Sequence, residues 1–325
     1  MDPSSEYFIR KLPEIDQELI YQILELKKEK NVLILAHNYQ CEGVQLVADL
    51  LGDSLGLAKK VIKATQNDII FAGVRFMAET AKVLNPNKRI HFPATGSLCD
   101  MAAYLKADMI REYKLKNPGI PVVLYINSTA ESKTLADIVC TSSNAVNIVK
   151  YIQQQTNAPK IAFGPDKNLG AYICKMSGIP IDIIPPHGNC YVHDKYTIKD
   201  VSKARKQHPE ATLLIHPEAP LEVLDLADYI GSTSMIIHYP VEHPQITSYI
   251  IGTEIGVTEQ LRRNHPEKTF SPLNENAICT AMKSITLKSI LDCIKNIDSD
   301  KFIVEIQEDI MKKSQDAINK MIEVR

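Results

Sequence analysis

The sequence contains 325 residues, of which 45% are hydrophobic and 23% are charged, and its net charge at pH 7 is -2. This balance excludes proteins that track nucleic acid or an anionic membrane, because those proteins need a broad basic surface. No apolar run approaches the roughly 20 residues that cross a bilayer, and no basic segment followed by an apolar one opens the chain. We therefore expect a cytoplasmic protein without nucleic-acid or membrane partners.

The predicted elements begin with a helix over about 16–29, and three similar units follow it. Each unit opens with a short apolar strand that ends at a polar anchor residue. The anchors are His37, Tyr125 and His216, which lie 88 and 91 residues apart. Self-similarity at a nearly fixed period is the signature of an internal repeat.

Three further sets of residues recur at matching distances from the anchors. A hydroxyl residue follows each anchor by 17 residues, a second apolar run closes on a glycine after 36 to 39, and a cysteine comes after 62 to 65. These sets are Ser54, Ser142 and Thr233; Gly73, Gly164 and Gly252; and Cys99, Cys190 and Cys279. Their agreement favours triplication over chance.

The alternation of apolar runs with helical patterns predicts an α/β fold. The runs are short and rich in Val, Ile and Leu, which is typical of parallel strands covered on both faces. Strands that alternate with helices imply right-handed crossovers. We predict domains at 1–110, 111–198 and 199–290, and we expect the C-terminal helix within 291–325 to pack on the first domain.

The three repeated cysteines are candidate metal ligands. In parallel α/β sheets, ligands gather beyond the carboxyl ends of the strands, so three units around a pseudo-threefold axis would deliver their cysteines to one cavity. Three thiolates suit a 4Fe-4S cluster with one open iron, which would act as a Lewis acid. A catalytic zinc ion and simple burial of the thiols are the alternatives. The other cysteines, at 41, 140, 174 and 293, have no equivalents in the repeat.

Polar residues near the strand ends are candidates for substrate binding and proton transfer. The hydroxyl residues stand where helices begin, so their helix ends either bind anions or are simply capped. Two histidines, two tyrosines and a glutamate could exchange protons or hydrogen bonds with a substrate. These are His37, Tyr39, Tyr125, His216 and Glu218, while His193 lies three residues past Cys190. A structural role is the alternative for each histidine.

Several strings in the chain closely resemble the quinolinate synthase family, over about residues 20–320. They are Leu35–Gln40, Gly52–Leu55, Val123–Thr129, Cys140–Ser142, Gly164–Asp166, His216–Glu218, Gly231–Thr233 and Ile251–Glu254. The resemblance implies three α/β/α domains about a pseudo-threefold axis, with a central active site. It also implies a 4Fe-4S cluster held by Cys99, Cys190 and Cys279, with one iron open to substrate.

The activity implied by the resemblance is a dehydrating condensation in NAD biosynthesis. Iminosuccinate and dihydroxyacetone phosphate would combine to give quinolinate, with loss of phosphate and two waters. Coupling to an aspartate-oxidising enzyme would deliver the unstable iminosuccinate. Two alternatives are another 4Fe-4S hydro-lyase acting on a hydroxy acid and a non-catalytic α/β repeat protein that binds a metabolite.

The resemblance also suggests roles for individual residues. Proton handling falls to Tyr39, His216 and Glu218, with Tyr125 beside the substrate near the open iron and His193 close by. Substrate binding falls to His37, Ser54, Asn127, Ser142 and Thr233. Two carboxylates and one phosphate can be held by such groups without a globally basic surface.

Overall fold

The computed structural model describes residues 3–94 and 96–324, and it contains three four-stranded parallel sheets flanked by helices. Within each sheet, the strand order in terms of the chain is second, first, third, fourth. The predicted α/β class with repeated parallel sheets is confirmed. Among the described residues, no helix combines the length and the apolar character needed to cross a membrane.

The first sheet has the order β2-β1-β3-β4. Its elements in chain order are α1 (Pro3–Ile9), α2 (Glu14–Glu29), β1 (Leu33–His37), α3 (Glu42–Val47), β2 (Leu50–Gly52), α4 (Ser54–Ile62), β3 (Asp68–Ala72), α5 (Arg75–Leu84) and β4 (Arg89–His91). The predicted helix over about 16–29 is confirmed as α2. The central strands β1 and β3 are almost fully buried, as their continuous apolar runs require.

The second sheet has the order β6-β5-β7-β8. Its elements are α6 (Asp100–Tyr104), α7 (Ala107–Lys116), β5 (Val122–Tyr125), α8 (Ala130–Lys133), β6 (Ile138–Cys140), α9 (Ala145–Thr156), β7 (Ile161–Gly164), α10 (Lys167–Ser177) and β8 (Ile181–Ile183). One core cluster of this sheet contains Leu105, Ile110, Val122, Leu124, Ala162 and Ile184.

The third sheet has the order β10-β9-β11-β12. Its elements are α11 (Ile198–Gln207), β9 (Thr212–Ile215), α12 (Leu221–Leu224), β10 (Tyr229–Ile230), α13 (Thr233–Glu242), β11 (Ser248–Gly252), α14 (Ile255–Asn264) and β12 (Thr269–Pro272). The chain then forms α15 (Thr280–Lys283), α16 (Leu287–Lys295), a 3-10 turn (Asp300–Phe302) and α17 (Glu308–Glu323).

Contacts divide the chain into two compact units. Residues 1–98 and 279–306 form the unit with the first sheet, whereas 99–278 and 307–325 form the unit with the second and third sheets. In the first unit α16 packs on α2, and in the second α17 packs on β6 and α8. The segment 291–325 therefore contributes helices to both units.

One aspartate braces the first strand of every sheet in the same way. Its carboxylate accepts the N–H of a strand residue at 2.7 to 2.8 Å and pairs with a basic residue of the preceding helix at 2.9 to 3.1 Å. The three sets are Asp49 with Ile34 and Lys27, Asp137 with Val122 and Lys114, and Asp228 with Leu213 and Arg205. Each aspartate lies 12 residues after its anchor, so the brace fixes the strand that presents the anchor.

Candidate active site

The candidate active site of the second unit is built where parallel strands end. Tyr125 is the last residue of β5, Asp166 follows β7, and His216 and Glu218 follow β9. All four side chains are buried. Loops beyond the carboxyl ends of parallel strands are where α/β proteins bind ligands, so these residues stand in a position typical of function.

Glu218 is the centre of the buried polar network. Its Oε1 accepts a hydrogen bond from the Tyr125 hydroxyl at 2.7 Å, and its Oε2 lies 2.8 Å from Nδ1 of His193. Burial alone would raise the pKa of Glu218, but His216, His193 and the Tyr125 hydroxyl stabilise the carboxylate and lower that pKa below its ordinary value. The group is therefore an ionised hydrogen-bond acceptor at neutral pH.

His193 joins three other polar side chains. Besides Glu218, its Nδ1 lies 3.2 Å from the sulfur of Cys190, and its Nε2 lies 2.9 Å from the hydroxyl oxygen of Thr253. The His193 ring also stacks on His216, with 4.6 Å between ring centroids and 24° between planes. In the tautomer with the proton on Nδ1, His193 donates to Glu218 and accepts from Thr253.

Cys190 is held by its backbone. Asp166 accepts the N–H of Cys190 at 2.9 Å with one carboxylate oxygen and caps α10 with the other, which accepts the N–H of Leu169 at 2.6 Å. Burial raises the pKa of the Cys190 thiol, and the charges of Glu218 and Cys99 raise it further. A thiolate at this position therefore calls for a neighbouring positive charge.

The loop that carries Cys190 lies directly on the segment after β7. A Cβ atom on Gly164 would lie 2.0 Å from the carbonyl oxygen of Ile184, and one on Gly188 would lie 2.0 Å from that of Pro165. The N–H of Lys167 donates to the carbonyl of Gly188 at 2.7 Å. The glycines are therefore required because the two backbones are in contact.

Asn168 connects the loop that carries Cys190 to the turn that carries Glu218. Its amide donates to the carbonyl oxygen of Glu218 at 3.0 Å and to the carboxylate of Asp194 at 2.7 Å. Asp194 also accepts a hydrogen bond from Asn189, the residue before Cys190. The cysteine loop and the turn that carries Glu218 thus share one hydrogen-bonded support.

The other two repeated cysteines occupy equivalent local positions. Cys99 is the N-cap residue of α6 and Cys279 that of α15, and each carbonyl accepts an N–H four residues on at 3.0 Å. Both cysteines are half-buried. Cys99 and Cys190 belong to the second unit, whereas Cys279 belongs to the first.

The first unit brings His37 and Tyr39 together. Nδ1 of His37 accepts the N–H of Tyr39 at 3.1 Å, and the two rings meet edge to face at 4.4 Å. Lys283 donates to the carbonyl of Tyr39 at 2.8 Å. The same backbone bond recurs in the third repeat, where the N–H of Glu218 donates to Nδ1 of His216 at 3.4 Å.

Two of the three hydroxyl residues stand where helices begin, as expected, but none of the three is an N-cap residue. Ser54 and Thr233 are the first helical residues of α4 and α13, which are capped by the neighbouring side chains of Asp53 and Ser232. Ser142 lies in the turn before α9. In α4 and α13 the N-cap position is taken by Asp53 and Ser232, residue types that cap helices at least as well as Ser54 and Thr233. Asn127 lies in the loop after β5.

Comparison with known proteins shows the family of the chain. The family model described as quinolinate synthetase A protein matches residues 21–323. The chain belongs to the quinolinate synthase family. Its similarity to the quinolinate synthase of Pyrococcus abyssi is 46% identity over 307 residues, covering 94% of this chain and 99% of the relative.

Other quinolinate synthases match over nearly the same length of the chain. The enzyme of Pyrococcus furiosus is 46% identical over 308 residues, covering 95% of this chain and 98% of the relative. That of Thermotoga maritima is 42% identical over 306 residues, covering 94% and 99%. The family resemblance inferred from the sequence strings is thereby confirmed.

Within this family member, three side chains of the network could also hold a metal ion. One ligand atom from each of Cys190, His193 and Glu218 lies within 4.8 Å of the others. The sequence patterns pointed to these three residues, but they missed Asp166 and Thr253 as parts of the site. Thr253 directly follows the repeated glycine Gly252 and Asp166 lies two residues past its counterpart Gly164, a signal that could have found them.

Proposed function

We propose that this chain is a cytoplasmic quinolinate synthase, which condenses iminosuccinate with dihydroxyacetone phosphate and releases phosphate and two waters. The observation that carries the proposal is the buried network of Tyr125, Glu218, His193 and Thr253 beside Cys190, in a chain of this family. The network links an ionised carboxylate, an imidazole and two hydroxyls in one chain of hydrogen bonds. A condensation that also isomerises and closes a ring needs several such proton-handling groups.

We infer that Cys99, Cys190 and Cys279 hold a 4Fe-4S cluster. All three cysteines are half-buried rather than sealed in a core. Cys99 and Cys279 are the N-cap residues of α6 and α15, and the Cys190 thiol, whose pKa is raised, needs a cation beside it to ionise. When bound through three cysteines, such a cluster supplies a Lewis acid for a substrate oxygen.

The side chains of the second unit then have separate roles in proton transfer. The Glu218 carboxylate keeps a proton on Nδ1 of His193. Nε2 of His193 can then accept a proton that is passed on by the Thr253 hydroxyl. The Tyr125 hydroxyl, which donates to Glu218, can turn to a substrate oxygen. His216 stacks on His193 and limits the motion of its ring. Tyr39 is proposed as a further proton donor from the first unit.

The anionic groups of the substrates are assigned to separate binding residues. We assign the carboxylates and the phosphate to His37, Ser54, Asn127, Ser142 and Thr233. Two of them support this by position, since Ser54 and Thr233 open helices of 9 and 10 residues whose first N–H groups favour anions. Iminosuccinate is unstable, so we further propose transient coupling to an aspartate-oxidising enzyme.

An anaerobic assay tests this function. Protein reconstituted with iron and sulfide should contain about four irons per chain. It should release phosphate from dihydroxyacetone phosphate only when iminosuccinate is present, with quinolinate as the organic product. A colourless protein without iron, or phosphate release independent of iminosuccinate, would contradict the proposal.

A further inference from the structure

We propose that Cys190, His193 and Glu218 bind a single zinc-type divalent ion when the chain carries no cluster, and that this ion and the cluster exclude each other. The mononuclear site stands on the geometry of the second unit. The exclusion rests on the proposed function, because it requires Cys190 to be a cluster ligand. One thiolate cannot serve both centres in their normal geometries.

The distances among the donor atoms suit one small ion. His193 Nδ1 lies 2.8 Å from Glu218 Oε2 and 3.2 Å from the Cys190 sulfur, and all three donor atoms fall within 4.8 Å. Zinc binds nitrogen and oxygen at about 2.0–2.2 Å and sulfur at about 2.3 Å in a tetrahedron, which places ligand atoms about 3.5 Å apart. Movement of His193 and Glu218 apart by about 0.7 Å would bring their donor atoms to this spacing.

Each donor is already oriented by a neighbour. The Tyr125 hydroxyl occupies Oε1 of Glu218, so Oε2 faces the other ligands, and Thr253 contacts Nε2 of His193. Asp166 holds the backbone of Cys190. Partners of this kind fix the tautomer and the ring orientation in zinc sites and raise metal affinity.

The donor set selects the class of ion. A thiolate, an imidazole and one carboxylate favour zinc, cobalt or ferrous iron over magnesium and calcium, which prefer oxygen ligands. Binding releases the Cys190 thiol proton, and the His193 proton moves to Nε2, from which it donates to Thr253. Three protein ligands leave a fourth position for water, as in catalytic rather than structural zinc sites.

Cobalt titration of cluster-free protein under anaerobic conditions tests the mononuclear site. Tetrahedral Co²⁺ with a thiolate ligand gives charge-transfer and visible bands, and we expect them to saturate at one ion per chain. Cys190→Ser should abolish the charge-transfer band. His193→Asn and Glu218→Gln should each weaken cobalt binding by at least about tenfold, and Thr253→Val by about tenfold.

Cys99→Ala and Cys279→Ala are the matched controls. Both remove a proposed cluster ligand but none of the three mononuclear ligands, so the cobalt spectrum and affinity should stay unchanged while iron–sulfur reconstitution is lost. No thiolate band, a band lost in Cys99→Ala, or one undiminished in both His193→Asn and Glu218→Gln would overturn the site. Circular dichroism confirms that each variant is folded.

Competition tests the exclusion separately. Loading the wild-type protein with one Zn²⁺ per chain before reconstitution should reduce iron uptake several-fold, and removal of zinc by a chelator should restore it. Glu218→Gln should take up iron equally well with and without prior zinc. Full iron uptake by the zinc-loaded wild type would refute the exclusion, whereas a wild type that takes up no iron even without zinc would refute the proposed function instead.

Discussion

Glu218 stays ionised inside the protein because hydrogen-bonding partners reach both of its oxygens. Burial of a carboxylate is unfavourable, yet the contacts from Tyr125 and His193, together with His216, outweigh it and lower the pKa of the carboxyl group. The sequence pointed to Glu218 by its position two residues after an anchor. It did not reveal Thr253, since that contact joins residues 60 positions apart in the chain.

Thr253→Val tests whether the hydroxyl on His193 matters to catalysis. Valine has nearly the same shape and the side chain is fully buried, so the change removes the hydrogen bond to His193 with little loss of packing. We expect kcat to fall about 10- to 100-fold with KM within about twofold, because the residue positions the imidazole rather than the substrate.

Thr253→Ser is the control for this prediction, since it restores the hydroxyl and should recover most of kcat. A merely structural role for Thr253 would lower thermal stability in the valine variant and leave kcat per folded molecule unchanged. That result would contradict the role assigned to the hydroxyl.

At the scale of elements, the short connections decide where the chemical groups lie. The main strands were predictable from apolar runs, but β2, β6 and β10 are only two or three residues long and carry too little periodicity to be recognised. The contact of the Cys190 loop with the segment after β7 was equally hidden, because it depends on Gly164 at the end of β7 and Gly188 in the loop after β8.

Asp166→Asn tests this junction of elements. Asparagine offers one acceptor oxygen, so it can cap α10 or hold the N–H of Cys190 but cannot do both. We expect a several-fold faster loss of iron from the reconstituted protein and an altered electron paramagnetic resonance spectrum after reduction.

Asp137→Asn is the matched control for Asp166→Asn. Asp137 also accepts a backbone N–H in the second sheet, that of Val122 at 2.7 Å. Its carboxylate pairs with Lys114 and does not hold the loop of a cysteine. The control should lower stability by about 1 kcal/mol and leave the spectrum unchanged. Identical iron loss in both variants would show that Asp166 acts only through general stability.

His91 links two neighbouring strands of the first sheet and should make that unit sensitive to acid. It is fully buried on β4, its Nε2 lies 2.7 Å from Asp68 on β3, and its Nδ1 has no hydrogen-bond partner among the described residues. Burial lowers the pKa of His91 below its ordinary value of 6.5, although Asp68 partly opposes the shift. The unfolded chain therefore binds more protons than the folded one as the pH falls below 6.5.

The expected result is a loss of stability on acidification. The contribution of His91 is complete above pH 6.5 and decreases as the pH falls through that value. Thermal unfolding from pH 7.5 to 5 should show a declining Tm in the wild type and a smaller decline in His91→Gln. The exposed His238→Gln controls for loss of a histidine. An equal decline in all three proteins would rule out the assignment.

At the scale of the whole molecule, the triplication could be predicted from the sequence because each repeat is built from contacts between residues close in the chain. Strand, glycine and cysteine positions repeat for that reason, and so does the aspartate brace. The two compact units could not be predicted from the sequence, since residues 279–306 return to the unit formed by 1–98. Such long-range packing leaves no period in the sequence.

In the proposed function, the iron centre and the proton chemistry belong to different side chains of one chain. The most direct test measures iron content and quinolinate formation together in anaerobically reconstituted Cys190→Ala and Glu218→Gln. Cys190→Ala should lose both the iron and the product. Glu218→Gln should keep wild-type iron and form quinolinate at least about 100-fold more slowly. Undiminished quinolinate formation by Cys190→Ala would contradict the account.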